Sequence, residues 1–438
     1  MEGPIPGTLA KLTGPMVLGI LGMVALNLVD TFFVGQLGSR ELAAMSFTFP
    51  VIMVIGSISI GLGVGASSLI SQAIGKDNQD EVRRLTSDSL VLATLVVTVL
   101  VTIGMFTIRP IFTLLGASEE TLPLIEQYMQ IWYPGMVFLV IPMVGNSAIR
   151  ATGDTRTPSA IMLFAFTINL ILDPLLIFGL GPFPRMELAG AAIATVTARA
   201  VTLLVSLHVL AFREKMLVYR PPSRDEVVSS WLRLLSIGLP NAAANMVMPL
   251  GMGFITRLVS GYGEPAVAAF GVAGRIDVFA LTVVMALSSV LGPFVGQNFG
   301  ARQWDRLREG VAVSKRFALL WGIGIALVFL PTVPFFAPLF NKDPQVVERI
   351  ELYLRIVPWG YGAFGVYMLT RSSFNALEKP LWAAFLSATF MFVLFVPLAM
   401  MGSHFFGLVG VFGAGCTAYI LTGVVAHLAW KRMLSRLR

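Results

Sequence analysis

The stretch PMVLGILGMVALNLVDTFFVGQLG, residues 15–38, decides the fold of this chain. A helix needs about 20 apolar residues, rising ~1.5 Å each, to cross ~30 Å of hydrocarbon. The stretch meets this length, and Asp30 is its only charged residue. It therefore predicts a membrane-spanning helix that carries one acid near its carboxyl end.

The same stretch has a second copy further along the chain, PNAAANMVMPLGMGFITRLVSGYG at residues 240–263. An offset of 225 residues brings Pro15 onto Pro240 and Gly38 onto Gly263. Further pairs at or near this offset are Ala43 with Ala268, Leu62 with Leu287, Gln72 with Gln297, Gly75 with Gly300, Arg150 with Arg371 and Pro174 with Pro397. Chance does not explain so long a series, so we predict two copies of one six-span unit.

The composition excludes a soluble globular protein. Of the 438 residues, 56% are hydrophobic and only 13% are charged, and the mean hydropathy is +0.81. A single soluble core stops growing at roughly 250–300 residues, so much of this apolar surface would remain in water. The single cysteine, Cys416, excludes an intrachain disulfide framework and a thiolate metal cluster. The amino terminus has no signature of a cleaved signal peptide, so the first apolar stretch is expected to be retained.

Apolar stretches between charged, proline-rich or glycine-rich breaks predict twelve spans. They are residues 9–33, 44–72, 85–108, 125–149, 158–180, 187–212, 231–258, 269–297, 311–337, 347–370, 381–403 and 405–430. The expected fold is an all-α integral membrane protein with twelve transmembrane helices in two pseudo-twofold six-helix bundles. The expected domains are an amino-terminal lobe, a polar cytoplasmic linker and a carboxy-terminal lobe, at residues 1–212, 213–232 and 233–438.

The basic residues predict how the chain is oriented. Lys and Arg accumulate in the loops that follow the even-numbered spans. By the positive-inside rule, both termini are then cytoplasmic, and we expect a multi-pass protein of the prokaryotic plasma membrane. The net charge of +7 faces anionic lipid and implies no nucleic-acid partner.

The two copies differ in their buried polar residues. Asp30 aligns with Ile255, Asp173 with Val396 and Asn169 with Phe392, which predicts that the amino-terminal lobe alone is polar inside. An acid deep in a bilayer costs roughly 2.5 to 3.5 kcal/mol on insertion scales, so its default interpretation is functional. The alternative is a structural hydrogen bond between helices.

Several oxygen-bearing residues are expected to share one site with these acids. Asp30 and Asp173 each follow a proline at the cytoplasmic end of a span by fifteen residues, so they lie at similar depth. The predicted cation-coupling residues are Asp30, Asn169, Asp173, Thr195 and Asn27. Hard oxygen ligands suit a small metal cation, so Asp30, Asn169 and Asp173 are the expected ligands if Na⁺ is the coupling ion. Close, buried carboxyls can equally carry a proton, and the sequence leaves Na⁺ and H⁺ open.

Three motifs resemble the multidrug and toxic compound extrusion (MATE) family. They are VDTFFVG at residues 29–35, RATGDTRTP at residues 150–158 and GQNFGA at residues 296–301, within a match over essentially the whole chain. The acids of spans 1 and 5, with Asn169, resemble the amino-lobe site of the DinF-like branch, including its archaeal members. NorM-like members instead place acids in spans 7 and 10, where this chain has only Glu351 at a span end. Coupling through the carboxy-terminal lobe is therefore not expected.

The resemblance implies a secondary exporter that moves amphipathic, often cationic compounds outward in exchange for inward H⁺ or Na⁺. A cleft between the lobes, an adaptable apolar surface rich in methionine, is expected to hold them. The cleft candidates are Met23, Met143, Asn146, Met246 and Met248, and Pro15 is the expected point of helix bending. Small molecules and the lipid bilayer are the expected partners, the chain is expected to be a monomer, and no cofactor is expected beyond the coupling ion.

Two other functions stay open at this point. A related lipid-linked saccharide flippase would need a central cleft lined by several Lys or Arg. An integral-membrane enzyme would need a catalytic constellation, and the sequence shows no such pattern and no nucleotide motif. Two further residue sets favour local roles: Asp277 as a pair with Arg275, and Asp154 with Arg156 in the turn before span 5.

Overall fold

A computed structural model describes residues 3–218 and 223–435. This part of the chain is helical and contains no strand. Arg220, Pro221 and Pro222 of the predicted linker lie outside the described residues. The helices are α1 (Ile5–Gly35), α2 (Ser39–Gly75), α3 (Gln79–Leu114), α4 (Leu122–Gly135), α5 (Val137–Ala151), α6 (Arg156–Phe178), α7 (Glu187–His208), α8 (Arg224–Ser260), α9 (Glu264–Gly300), α10 (Trp304–Phe340), α11 (Pro344–Ile356), α12 (Tyr361–Ala376), α13 (Pro380–Ala388) and α14 (Val396–Leu434).

These helices confirm the predicted fold of twelve spans. In the described part, nine helical runs are long and apolar enough to cross a membrane, and α4 with α5 forms a tenth that bends by 40°. A one-turn 3₁₀ segment, Val357–Gly360, joins α11 to α12 as one further span. The last run, Pro380–Leu434, holds two spans that separate at Gly407. Most helices extend several residues beyond the predicted limits, because a helix need not end where the hydrocarbon ends.

The break between the last two spans has a clear local cause. Gly407 adopts φ 60° and ψ −142°, a left-handed conformation that favours glycine. On either side of it, Gly402 and Gly410 bring their backbones into contact, since a Cβ on Gly410 would lie 1.9 Å from the Gly402 carbonyl oxygen. The separation predicted near residue 404 thus lies three residues later.

The contacts divide the chain into two compact units. The amino-terminal unit is Gly14–Ala242, and the carboxy-terminal unit is Ala243–Arg438 together with Met1–Thr13. The division falls inside α8, whereas the predicted linker was 213–232. The two proposed lobes therefore differ from these units at both of their amino-terminal limits.

Asp154 fixes the turn that leads into α6. Its carboxylate accepts a hydrogen bond from the backbone N–H of Thr157 at 3.1 Å and another from the guanidinium of Arg213. Arg213 also donates to the Thr157 hydroxyl at 2.7 Å. Burial raises the pKa of the Asp154 carboxyl, but the hydrogen bonds from Thr157 and Arg213 outweigh it and hold this pKa below its ordinary value. The expectation that Asp154 shapes this turn is confirmed.

Substitution of Asp154 by Asn should lower the thermal stability at neutral pH. Because the folded-state pKa is lowered, the carboxylate stabilises the fold above its unfolded pKa, and this contribution is lost as the pH falls through the folded value. The difference in melting temperature between wild type and D154N, measured in detergent, should therefore be constant near neutral pH and shrink below about pH 4. Asp305→Asn, at a fully exposed side chain, is the control. A difference that grows on acidification would contradict this account.

A backbone contact between α10 and α12 predicts a second stability effect. A Cβ on Gly322 would lie 2.1 Å from the backbone nitrogen of Gly362, whereas a Cβ on Gly324 would meet no atom within 4 Å. Gly322→Ala should therefore destabilise the protein by about 1–3 kcal/mol, since neither backbone can move away easily. Gly324→Ala is the matched control and should be neutral or stabilising by up to ~1 kcal/mol through helix propensity. Thermal melts of the two purified variants check this, and equal melting temperatures would refute the contact.

Candidate functional site

Helices α1 and α6 pack closely because small residues line their contact. A Cβ on Gly19 would lie 3.0 Å from the Cα of Ser159, and one on Gly22 would lie 2.8 Å from the Leu163 side chain. The Ser159 hydroxyl donates to the sulfur of Met16 at 3.4 Å. The two helices therefore run side by side with little between them.

The register of this contact brings the two predicted acids together. Asp30 lies fourteen residues after Met16, and Asp173 lies fourteen residues after Ser159. Fourteen residues make about four helical turns, so each acid returns to the face that the earlier contact uses. The carboxyl groups of Asp30 and Asp173 indeed lie within hydrogen-bonding reach of each other. This juxtaposition is the central feature of the amino-terminal unit.

The oxygens at this point have no donors around them. Asp173 and Asn169 are each 1% exposed, and Asp30 is half-buried. Within the described residues, Asp30 Oδ1, both carboxyl oxygens of Asp173 and both polar atoms of the Asn169 amide form no hydrogen bond. Ionised carboxylates only accept hydrogen bonds, so two of them side by side need a proton or a cation to join them. The arrangement is a place for positive charge.

Two further residues face this pair. Arg199 on α7 interacts electrostatically with Asp30, and its Nε has no hydrogen-bond partner among the described residues. Tyr128 on α4, 4% exposed, lies close enough to interact electrostatically with both acids. An arginine within a predicted span was a signal for the first. For Tyr128 the only signal was a polar-tipped aromatic in an apolar stretch, which is common.

The other predicted cation residues are less clearly placed at the acids. Thr195 is half-buried on α7 and forms no hydrogen bond with either acid in the part of the chain that the structure describes. Asn27 is exposed and bonds along its own helix: its amide donates to the Met23 carbonyl at 3.2 Å, and its carbonyl accepts from Thr31 at 2.8 Å. Their part in cation binding stays a prediction.

The residue types suit a light cation or a proton. Two carboxyl groups and the Asn169 carbonyl oxygen are hard ligands of the kind that alkali and alkaline-earth ions prefer. Pro174 has no N–H to give to the carbonyl of Leu170, which can supply one more oxygen nearby. Residues 3–218 and 223–435 contain no group of three or more His, Cys, Asp or Glu side chains that could hold a metal. The site thus fits Na⁺ or H⁺ by its donor set.

The predicted cleft residues divide between the two units. Met23, Met143 and Asn146 belong to the amino-terminal unit, and Asn146 is buried with its Oδ1 accepting from Ser206 at 3.4 Å. Met246 and Met248 belong to the carboxy-terminal unit, both half-buried. Pro15 lies inside α1, which continues unbroken through it. Their roles in substrate binding and bending stay predictions.

The expectation that the amino-terminal lobe alone is polar inside is wrong. Asp277 on α9 in the carboxy-terminal unit accepts hydrogen bonds from Tyr353, at 2.6 Å, and from Tyr361. The predicted pair with Arg275 does not form: Asp277 has no ion pair in the described part of the chain. Residues two apart on a helix point to different sides, which explains why. Asp277 was noticed in the sequence but paired with the wrong residue.

Comparison with known proteins supports the duplication. The family model described as MatE matches residues 15–175 and again residues 240–401. The second match begins 225 residues after the first, which is the offset of the internal repeat. Each match begins at one of the paired prolines, Pro15 and Pro240.

Individual relatives cover almost the whole chain. A protein of Shewanella oneidensis named FAD transporter is 39% identical over 436 residues, covering 99% of this chain and 96% of its own. The probable multidrug resistance protein YoeA of Bacillus subtilis is 27% identical, covering 89% of this chain and 85% of its own. The crystal structure of the Vibrio cholerae MATE transporter VcmN in the bent form is similar with a TM-score of 0.94 at 32% identity, covering 99% of this chain and 98% of that chain.

Proposed function

Because this chain belongs to the MatE family, we propose that it is a secondary active exporter of amphipathic or cationic small molecules, driven by inward H⁺ or Na⁺. Membership makes it a multi-pass membrane transporter acting on small molecules. The multidrug resistance protein of Bacillus subtilis supports a broad substrate range. The single observation that carries the coupling proposal is the juxtaposition of Asp30 and Asp173 with unpartnered oxygens.

The coupling step follows from the electrostatics of this pair. With a proton or a Na⁺ between the carboxyls, α1 and α6 are held together at their carboxyl ends. Without it, two adjacent negative charges in an apolar medium repel each other, which favours separation of the two helices there. A cation that binds one of these states better shifts the equilibrium toward it by its differential affinity, and no further. Each charge that enters down a membrane potential contributes ~2.3 kcal/mol per 100 mV.

Helix α1 is the proposed moving part. Its proline, Pro15, cannot donate to the carbonyl of Lys11, so α1 lacks one hydrogen bond at this turn. Bending is cheapest at such a point. A change at Asp30 then travels along about four turns of helix to the bend. The acids in spans 1 and 5 favour the DinF-like arrangement, and we further propose that the protein acts as a monomer in a prokaryotic plasma membrane with both termini cytoplasmic.

Asp30→Asn and Asp173→Asn should each reduce gradient-driven export of a fluorescent organic cation by about tenfold or more, since one carboxylate alone no longer creates the repulsion that coupling needs. The measurement uses everted membrane vesicles with an imposed pH gradient or an imposed Na⁺ gradient, in separate experiments. Asp305→Asn, at an exposed surface acid, is the matched control and should transport normally. Undiminished export by both site variants would overturn the coupling proposal. The gradient that drives wild-type export identifies the ion.

A second candidate function is export of a flavin dinucleotide. The observation that favours it is the 39% identity, over 99% of this chain, to the Shewanella oneidensis protein named FAD transporter. Such a substrate is amphipathic, with a planar aromatic ring system and two phosphates. Cation exchange at Asp30 and Asp173 would drive it equally well, because the coupling site does not depend on which substrate crosses.

Export of flavin dinucleotide should be visible as FAD accumulation inside everted vesicles, quantified by chromatography, under the gradient that drives the wild-type protein. We expect uptake several-fold above vesicles without the protein, and loss of that excess in Asp173→Asn, which lacks the coupling carboxylate. Vesicles with Asp305→Asn serve as the positive control. Robust transport of a fluorescent cation with no FAD accumulation would remove this candidate and leave the broader exporter.

A further inference from the structure

The carboxy-terminal unit contains a cavity of about 350 Å³ that the cation site does not use. Small-molecule pockets in proteins begin at roughly 300 Å³, so its size suits a compact ligand. Residues of α8, α9, α11, α12 and α14 line it. It lies wholly in Ala243–Arg438 and so belongs to one unit.

Aromatic rings form much of its wall. Tyr353 packs edge-on against Phe412 with ring centroids 5.0 Å apart, and Phe364 packs against Tyr419 at 4.4 Å. All four are at least nine-tenths buried. Because these rings hold one another in place, they form a cage that exists before any ligand arrives. The sulfur of Met368 and those of three other lining methionines add adaptable contacts.

Asp277 is the only acid among the residues that line this cavity. Its two carboxyl oxygens accept hydrogen bonds from the hydroxyls of Tyr353 and Tyr361. Hydroxyls saturate the oxygens but do not cancel the charge. Arg371 is the only base in the lining, and its guanidinium donates to Asn245. No ion pair to Asp277 exists within the described residues. The cavity therefore holds a negative charge without a counter-charge.

The internal repeat indicates that this charge is not architectural. At the offset of 225 residues, Asp277 corresponds to Ile52 in the first copy. The fold forms with an isoleucine at this position, so packing alone does not require an acid there. A buried charge that the fold does not need points to a ligand of the opposite sign.

We propose that this cavity binds an organic ammonium ion, with quaternary ammonium favoured over inorganic cations. Faces of Tyr353, Phe364, Phe412 and Tyr419 attract a soft cation through the ring quadrupole, and Asp277 supplies the balancing charge. A quaternary ammonium makes no hydrogen bonds, which suits carboxyl oxygens that already accept from two tyrosines. An inorganic cation would need oxygens to replace its water shell, and the apolar lining does not offer them.

This site goes beyond the proposed export function and differs from the acid pair in chemistry. Asp30 and Asp173 present bare oxygens to a proton or a small metal ion, whereas Asp277 presents a screened charge inside an aromatic cage. Binding here needs no gradient and no coupling. It can therefore be measured on the purified protein in detergent, and it can succeed or fail independently of transport.

Calorimetric titration with benzyltrimethylammonium tests the proposal on the full-length protein. Asp277→Asn should weaken binding at least tenfold, because the balancing charge is gone while the shape and one acceptor oxygen remain. The neutral isostere neopentylbenzene should bind the wild type at least tenfold more weakly than the ammonium ion. Equal affinity of the two probes, or of wild type and D277N, would overturn the proposal.

A second pair of variants keeps the test independent of the stability of D277N. Gly274 lines the cavity, and a Cβ there would meet no atom within 4 Å, so Gly274→Leu should fill the cavity and abolish binding. Gly271 lies three residues earlier on α9, is exposed and also has free space at Cβ, so Gly271→Leu is the control and should bind like wild type. Retained binding in Gly274→Leu, or loss of binding in Asp30→Asn with binding kept in D277N, would place the ion elsewhere and overturn the assignment.

Discussion

The structure depends on one constraint: a carboxylate inside a helical bundle in hydrocarbon must share its charge with something. Asp30 and Asp173 meet this constraint by facing each other, which no arrangement of two anions satisfies without a proton or a cation. The small residues Gly19, Gly22 and Ser159 make the meeting possible, because they let α1 and α6 run in contact over about four turns. A larger residue at either glycine would separate the helices and the acids with them.

The duplication gives this protein its own reference structure. Both copies build six spans from the same pattern of prolines and glycines, and they differ in where they place charge. The first copy has two acids with unpartnered oxygens, and the second has one acid, Asp277, whose oxygens take hydroxyl donors from Tyr353 and Tyr361. The same scaffold therefore offers two chemically different places for positive charge. Divergence after duplication is free to change these residues, because the backbone does not depend on them.

The sequence predicted most of the fold, since apolar length, charge in loops and the repeat are properties that local residues carry. It also predicted that Asp30 and Asp173 share a depth, because helical rise converts sequence distance into height. It did not predict that Asp277 bonds to tyrosines 76 and 84 residues away, nor that Asn27 bonds along its own helix. Such partners depend on how each helix is rotated about its axis, and periodicity is weak in helices that are apolar on every side.

The turn at Gly407 has a consequence for how the chain enters a bilayer. Spans eleven and twelve meet through a backbone contact between Gly402 and Gly410, and only a few residues separate them. No hydrophilic segment lies between them that could be left behind on the far side during synthesis. The two helices therefore have to be delivered to the lipid as one closed pair, and neither is a natural stopping point for the insertion machinery.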